Sequence, residues 1–339
     1  MFYSYQDVNF AFKGIVSLIA GNVLQTERNT SRAGDVLSVV HPVMVTYEKP
    51  KRCVLFNRSR DCNPFFHMFE ALWMLAGRND VKPLQYYSAN IGKIASDDGI
   101  TFNGAYGFRW RGEVDQLTQL IEHLQKCPDS RRAVLQMWNI EDDLLKIDKT
   151  KDVCCNLCVC FMLRHGELDM TVFNRSNDLV WGMMGANVVQ FSFLQRYIAG
   201  CLGVEVGKYR QVTNNLHVYL NNWKPEEWLI DKTENTYETV LNEDILKKRA
   251  FLPLVCDKQR FDREVKRFID DPEAIFTEPY LQYVAAPMML AFRHHKERDY
   301  GKALEAIHRV KSLDWMTAGL AWITDRKSRY ERGTSNYQE

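Results

Sequence analysis

Cys155, Arg175 and Asn187 fall within one stretch, KDVCCNLCVCFMLRHGELDMTVFNRSNDLVWGMMGANVVQ (151–190), which holds a sulfur nucleophile, a fixed cation and an amide close together in the chain. Cys154 to Leu163 reads as a strand, Gly166 as the turn and Leu168 to Asn174 as the returning strand. Side chains alternate along a strand, so Cys154, Asn156, Cys158 and Cys160 are expected on one face and Cys155, Leu157 and Val159 on the other. Cys155 and Cys158 have the C-x-x-C spacing of zinc and redox sites, but those sites need a turn or helix start that lets both sulfurs converge. No second such pair follows, nor paired histidines at finger-like spacing, so no metal is expected. Cys154, Cys158 and Cys160 are read as small buried apolar residues. Cys155 differs because Arg175-Ser176-Asn177-Asp178 closes the second strand, and a guanidinium near a sulfur favours the nucleophilic thiolate.

The flanking elements must position these groups. Val8, Phe12, Ile15, Leu18 and Ile19 give residues 6–25 the period of a helix packed on a sheet. Thr26 to Gly34 breaks that period and reads as a polar loop, able to wrap a phosphate with backbone amides and an arginine fork. Phe65 to Ala76 is apolar on nearly every side and reads as a buried helix. Glu70 in its middle must therefore be a satisfied structural ion pair or a cavity-facing carboxylate with a raised pKa. Asp115 to Lys126 is a helix with its charged face outward. Ser130-Arg131-Arg132 leads into a strand, Ala133 to Trp138, on which adjacent arginines should point to opposite faces. Gly182 to Asn187 reads as a loop into a helix from Val188 to Gly200, and Tyr209 to Asn214 as a strand, after which His217 and Tyr219, two apart, project together. Residues 258–332 have helical periodicity with many charges, and the final ERGTSNYQE reads as a frayed tail.

These motifs, in this order, resemble thymidylate synthase and its relatives, the deoxycytidylate and deoxyuridylate hydroxymethylases. FEALWMLAGRND (69–80), NGAYGFRWR (103–111), PDSRRAVLQMW (128–138), Cys155 through FNRSND, Gly182, Asn187 and NNLHVYL (214–220) carry the resemblance, which covers about residues 20 to 225. It implies an α/β (α+β) fold with a large mixed sheet flanked by helices. The expected division is a catalytic domain over residues 1–230 and a mainly helical C-terminal extension over 231–339. It also implies a symmetric homodimer in which Arg131 and Arg132 cross the interface to the partner's nucleotide phosphate. Arg32, with Arg28 as the alternative, Arg175 and Ser176 would hold the phosphate within the chain. Tyr106 would line the site, His217 and Tyr219 would hold the sugar 3′-hydroxyl, and Trp73 would be core packing. Glu70 would relay protons through water to the pyrimidine and contact the folate, and Asp178 would contact the pterin or order its water. Asn187 would read the base edge, although the loop is one residue longer than in thymidylate synthase and Ala186 takes the strictly spaced position. An amide there can serve uracil, or turn over for cytosine.

The implied reaction is addition of the Cys155 thiolate to carbon 6 of a pyrimidine nucleotide monophosphate, which makes carbon 5 a nucleophile toward 5,10-methylenetetrahydrofolate. Water attack on the resulting exocyclic methylene gives a hydroxymethyl product; hydride transfer gives a methyl. Synthases carry tryptophans in a W-D-x-W segment that shields this methylene, whereas Lys93 to Asp98 contain no aromatic residue. Asn156 also follows the nucleophile where synthases usually have histidine. Both features favour hydroxymethylation of dCMP or dUMP over reductive methylation of dUMP, with the 2′-position of the sugar open. A catalytically inactive nucleotide- or RNA-binding regulator is the contrasting class, and it would have no need of the nucleophile.

The 339 residues can bury a large core, and a net charge of +1 supplies no field to recruit nucleic acid. Local basic runs such as Lys247-Lys248-Arg249 are read as solvated helix faces. No apolar run reaches the length of a membrane span, and the N-terminus lacks the features of a signal peptide. Nine cysteines, two of them adjacent, do not suggest a disulfide framework, and a reducing cytoplasm is the expected compartment.

Overall fold

The computed structural model describes residues 1–94, 98–230, 237 and 252–333. The basic run Lys247-Lys248-Arg249, the end of the tail and part of the Lys93–Asp98 segment lie outside the described residues. The chain opens with strand β1 (Phe2–Tyr5) and helix α1 (Val8–Ala20), which Asp7 caps by accepting the Asn9 N–H. Val8, Phe12, Ile15 and Ile19 bury one stripe of α1 as their spacing requires.

The expected polar loop at 26–34 is instead an antiparallel hairpin, β2 (Thr26–Ser31) and β3 (Gly34–Val39), turning at Arg32-Ala33. Its polar residues lie in an exposed ribbon, where backbone pairing does not depend on an apolar face. Strand β4 (Val43–Tyr47) follows. Helix α2 (Pro64–Leu75) starts where Asn63 accepts the N–H groups of Phe65 and Phe66 and Pro64 takes the first turn; every residue of α2 is buried. Short helices α3 (Lys82–Tyr87) and α4 (Tyr106–Arg111) precede α5 (Gln116–Lys126) and strand β5 (Val134–Gln136).

Strands β6 (Asn156–Arg164) and β7 (Glu167–Asp178) form the predicted hairpin, with His165 and Gly166 at φ 52° and 79°, as a tight right-twisted turn requires. A π-helical turn, Leu179–Ala186, replaces the expected loop and runs into α6 (Asn187–Leu202). Strand β8 (Glu205–Tyr219) is longer than its apolar pattern suggested and includes His217 and Tyr219. It lies parallel to β7, with α6 as the crossover. The mixed sheet runs β1-β4-β8-β7-β6-β5, with β3 joining the far end of β8.

Helix α7 (Pro225–Leu229) and then α8 (Lys258–Asp270), α9 (Ala286–Lys296), α10 (Tyr300–Ile307) and α11 (Leu313–Glu331) complete the described elements. Of these, α8, α9 and α11 pack on α2, and α10 packs on α9 and α11. Phe65 meets Phe292 and Trp322 at 5.4 Å, and the buried residues of sheet and helices form one continuous apolar core. The other face of β6, β7 and β8 is only half buried, exposing parts of Cys158, Cys160, Thr171, Phe173 and Val212.

The expected alternation of β6 fails at its first residues. The register shifts between Asn156 and Cys158, and this bulge places Asn156, Val159 and Phe161 on the buried face and leaves Cys158 and Cys160 half exposed. The extra residue reverses every side chain that follows it.

Candidate active site

Cys155 sits immediately before β6, in a turn held by the residue expected to serve it. Arg175 donates from Nε to the Cys154 carbonyl and from Nη2 to the Val153 carbonyl, both at 2.8 Å, and the same Nη2 lies 3.5 Å from the Cys155 Sγ. Behind this turn the buried Asp143 accepts the Cys154 N–H at 3.0 Å and pairs with Arg109 at 3.4 Å. Burial raises the Cys155 pKa above its usual value; Arg175 and Arg32 oppose that rise, and Asp152 adds to it. The guanidinium thus acts in the direction expected, but burial outweighs it.

Five of the predicted residues line a cavity of about 530 Å³: Glu70, Tyr106, Asp178, Asn187 and Tyr219. Glu70 projects from α2 beside Gln190 of α6, and burial lifts its pKa to about 7. Its Oε2 is buried without a hydrogen-bond partner, which argues against the structural ion pair. Tyr106, at the start of α4, stacks on Phe191, and its pKa is raised by burial and by the neighbouring Cys155. Asp178 caps the π-helical turn, accepting the N–H groups of Val180 at 3.3 Å and Trp181 at 2.8 Å. Burial still raises its pKa.

A second group adjoins this wall through Tyr219. Ser176 Oγ lies 3.4 Å from His217 Nδ1, and the rings of His217 and Tyr219 meet edge-on at 5.3 Å. Arg32 reaches from the β2–β3 turn to the carbonyls of Thr150 and Lys151, in the segment leading to Cys155. Its rival Arg28 is 70% exposed and paired with Asp35 at 3.0 Å, so the hairpin already occupies it. Arg131 and Arg132 are not brought to the cavity. Both precede β5 and are exposed, which corrects the expectation that opposite strand faces would separate them.

The family model described as thymidylate synthase matches residues 15–252. The chain belongs to the thymidylate synthase family. Two proteins named deoxyuridylate hydroxymethyltransferase are similar to it. The one from Pseudomonas phage M6 is 41% identical over 318 residues, covering 90% of this chain and 89% of its own. The one from Bacillus phage SP01 is 44% identical over 211 residues, covering 57% of this chain and 55% of its own. The protein is accordingly a one-carbon transferase of the thymidylate synthase family, with the α/β fold that the motifs implied.

The structure of this thymidylate synthase family member also shows what sequence reasoning missed. Trp73 and Trp181 both reach the cavity, so the absence of aromatics at 93–98 does not make its walls free of indole. Trp181 is 57% exposed and held by Arg60, whose guanidinium lies 4.5 Å from the ring. Asn156 is fully buried with neither amide atom paired and does not line the cavity. Asp152 lines the cavity and accepts the Gly104 N–H at 2.8 Å. Its position three residues before Cys155 was an available signal. Gln190, three residues after Asn187 and therefore on the same face of α6, was another.

Proposed function

We propose that the protein hydroxymethylates carbon 5 of deoxyuridylate, using 5,10-methylenetetrahydrofolate as the one-carbon donor. The observation that carries this reading is the 41% identity, over nine-tenths of the chain, to a phage deoxyuridylate hydroxymethyltransferase. The site is compatible with that chemistry. The Cys155 Sγ adds to carbon 6 and the displaced electron pair moves toward carbon 5 and the oxygen on carbon 4, where an N–H of Asn187 can meet it. Arg175 draws the thiol toward the thiolate that this step needs. Glu70, with its pKa near 7, can hold or release a proton at neutral pH, as a relay to that oxygen demands.

Arg32, Arg175 and Ser176 bind the phosphate, joined by Arg131 and Arg132 of a second copy. His217 and Tyr219 hold the sugar. The homodimer is supported by the half-exposed apolar face of β6, β7 and β8, a surface suited to pairing with itself. The cavity fits a flat pterin, with Phe66, Trp73, Leu84 and Trp181 as apolar walls and Glu70 and Asp178 as polar contacts. When bound, the folate supplies a carbon at the oxidation level of formaldehyde. Water attack at the carbon joined to C5 preserves that level and gives the hydroxymethyl group. Among the described residues no helix is long and apolar enough to cross a membrane, and all nine cysteines are free, consistent with a reducing cytoplasm.

The test is incubation with methylenetetrahydrofolate and, separately, dUMP, dCMP, UMP and CMP, with the product identified by mass and dihydrofolate followed by absorbance. A hydroxymethylated dUMP without dihydrofolate is expected. A methylated product with equimolar dihydrofolate would replace the reading with reductive methylation, and no product from any nucleotide would favour a binding protein.

A further inference from the structure

The candidate base reader, Asn187, is the end of a buried chain of amides whose direction is set by a backbone carbonyl. Its Nδ2 donates to Asn177 Oδ1 at 3.3 Å. Asn177 Nδ2 donates to Gln211 Oε1 at 3.1 Å, and Gln211 Nε2 donates to the carbonyl of Met183 at 3.0 Å. Asn187, Asn177 and Gln211 are 7%, 4% and 0% exposed, so water is a poor substitute for a missing partner. Each side-chain amide could by itself be turned end for end, exchanging donor and acceptor. The Met183 carbonyl cannot, because it only accepts. Gln211 must therefore aim its Nε2 at Met183 and its Oε1 at Asn177, and each later amide inherits its orientation. Reversing Asn187 alone would set its oxygen against that of Asn177; reversing all three would set the Gln211 oxygen against the Met183 carbonyl.

Tyr47 touches the same end, receiving from Gln211 Nε2 at 3.3 Å while its own O–H donates toward the Met183 carbonyl at 3.3 Å and the Met184 sulfur at 3.2 Å; a hydroxyl that could turn to donate to Gln211 instead does not by itself fix the direction. Gly182 leaves the room the relay needs: a Cβ there would lie 2.2 Å from Asn177 Oδ1. After its bond to Asn177, Asn187 retains an acceptor and one N–H for the cavity it lines. Uracil offers N–H at position 3 and oxygen at position 4, whereas cytosine offers a bare nitrogen and an amino group. With the ring held at one place, one amide orientation suits one base and opposes the other.

We infer that Gln211 and Asn177 are positioning residues for base choice: through the Met183 carbonyl they lock Asn187 in one orientation, so the enzyme distinguishes uracil from cytosine by groups that do not touch the base. This rests on the proposed deoxyuridylate chemistry.

The experiment measures dUMP and dCMP dissociation constants by calorimetry, and kcat and KM for each, in the full-length wild type and in Gln211→Met, Asn177→Leu, Gly182→Ala and Tyr47→Phe, with melting curves to establish folding. Wild type is expected to select dUMP. Gln211→Met, Asn177→Leu and Gly182→Ala should each lower the dUMP-to-dCMP preference about tenfold or more, the scale of one buried hydrogen-bond mismatch, partly through tighter dCMP binding. Tyr47→Phe should keep the preference. If the folded variants weaken both nucleotides equally, the residues are merely structural and the inference falls. A Tyr47→Phe variant that relaxes selection as much as Gln211→Met would overturn the role of the carbonyl. A wild type that hydroxymethylates both nucleotides equally, or prefers dCMP, overturns the inference while leaving folate-dependent hydroxymethylation standing. A wild type that binds neither nucleotide removes the functional reading itself.

Discussion

At the scale of single residues, two side chains make separable predictions. Cys155→Ala removes the sulfur while keeping Arg175 on the carbonyls of Val153 and Cys154, so the proposed phosphate site should survive. Turnover is expected to fall below detection with the dUMP dissociation constant within a few-fold of wild type, measured by product mass and calorimetry. Glu70 has a linkage consequence. Burial raises its folded-state pKa from 4.5 to about 7, so its proton is held more tightly in the folded protein than in the unfolded chain. Stability from this group is fully present below pH 4.5 and is lost as pH rises through about 7. Glu70→Gln should raise Tm at pH 8 by the equivalent of up to about 3 kcal/mol and have little effect at pH 4. Melting curves of both proteins across that range check it. The same variant should lose roughly a hundredfold or more in kcat, the usual worth of a positioned proton carrier.

At the scale of elements, α2 carries both core and site. Its position depends on Asn63, whose Oδ1 accepts from Phe65 and Phe66 and whose Nδ2 donates to the Tyr87 carbonyl at 2.9 Å. Asn63→Ala removes the cap and the tether to α3, at a cost of about 1–2 kcal/mol. Denaturant unfolding should show that loss with an unchanged m-value. The buried helices were legible because apolar residues at helical spacing, or all around as in α2, have few other solutions. Strand β2 was not legible, since its side chains are mostly exposed and no period marks them. The β6 bulge was equally hidden: one residue without a ladder partner reverses the faces, and only pairing with β7 decides where it falls.

At the scale of the whole molecule, the helices after α7 close over α2 and share its core, while one sheet face stays half open. If that face is the interface of a dimer with composite sites, a charge at its centre should separate the subunits and abolish turnover together. Phe173→Asp is expected to elute as a folded monomer by light scattering and to show no hydroxymethylation. A folded, active monomer would exclude the shared site.

The sequence by itself determined the chemical inventory and its order: one candidate nucleophile with an arginine on the facing strand, a carboxylate in an apolar helix, a candidate amide reader and a histidine-tyrosine pair. These follow from residue identity and local period, and together they suffice to indicate the family. Only the tertiary structure decided which way the groups face. Tyr47 and Met183, from distant parts of the chain, meet Gln211, which in turn accepts from Asn177, the partner of Asn187. The pKa of Glu70 likewise depends on what surrounds α2, and where Arg32 and Arg28 reach depends on where a hairpin turns. Orientation, desolvation and pairing are properties of neighbours in space, and no window of sequence contains those neighbours.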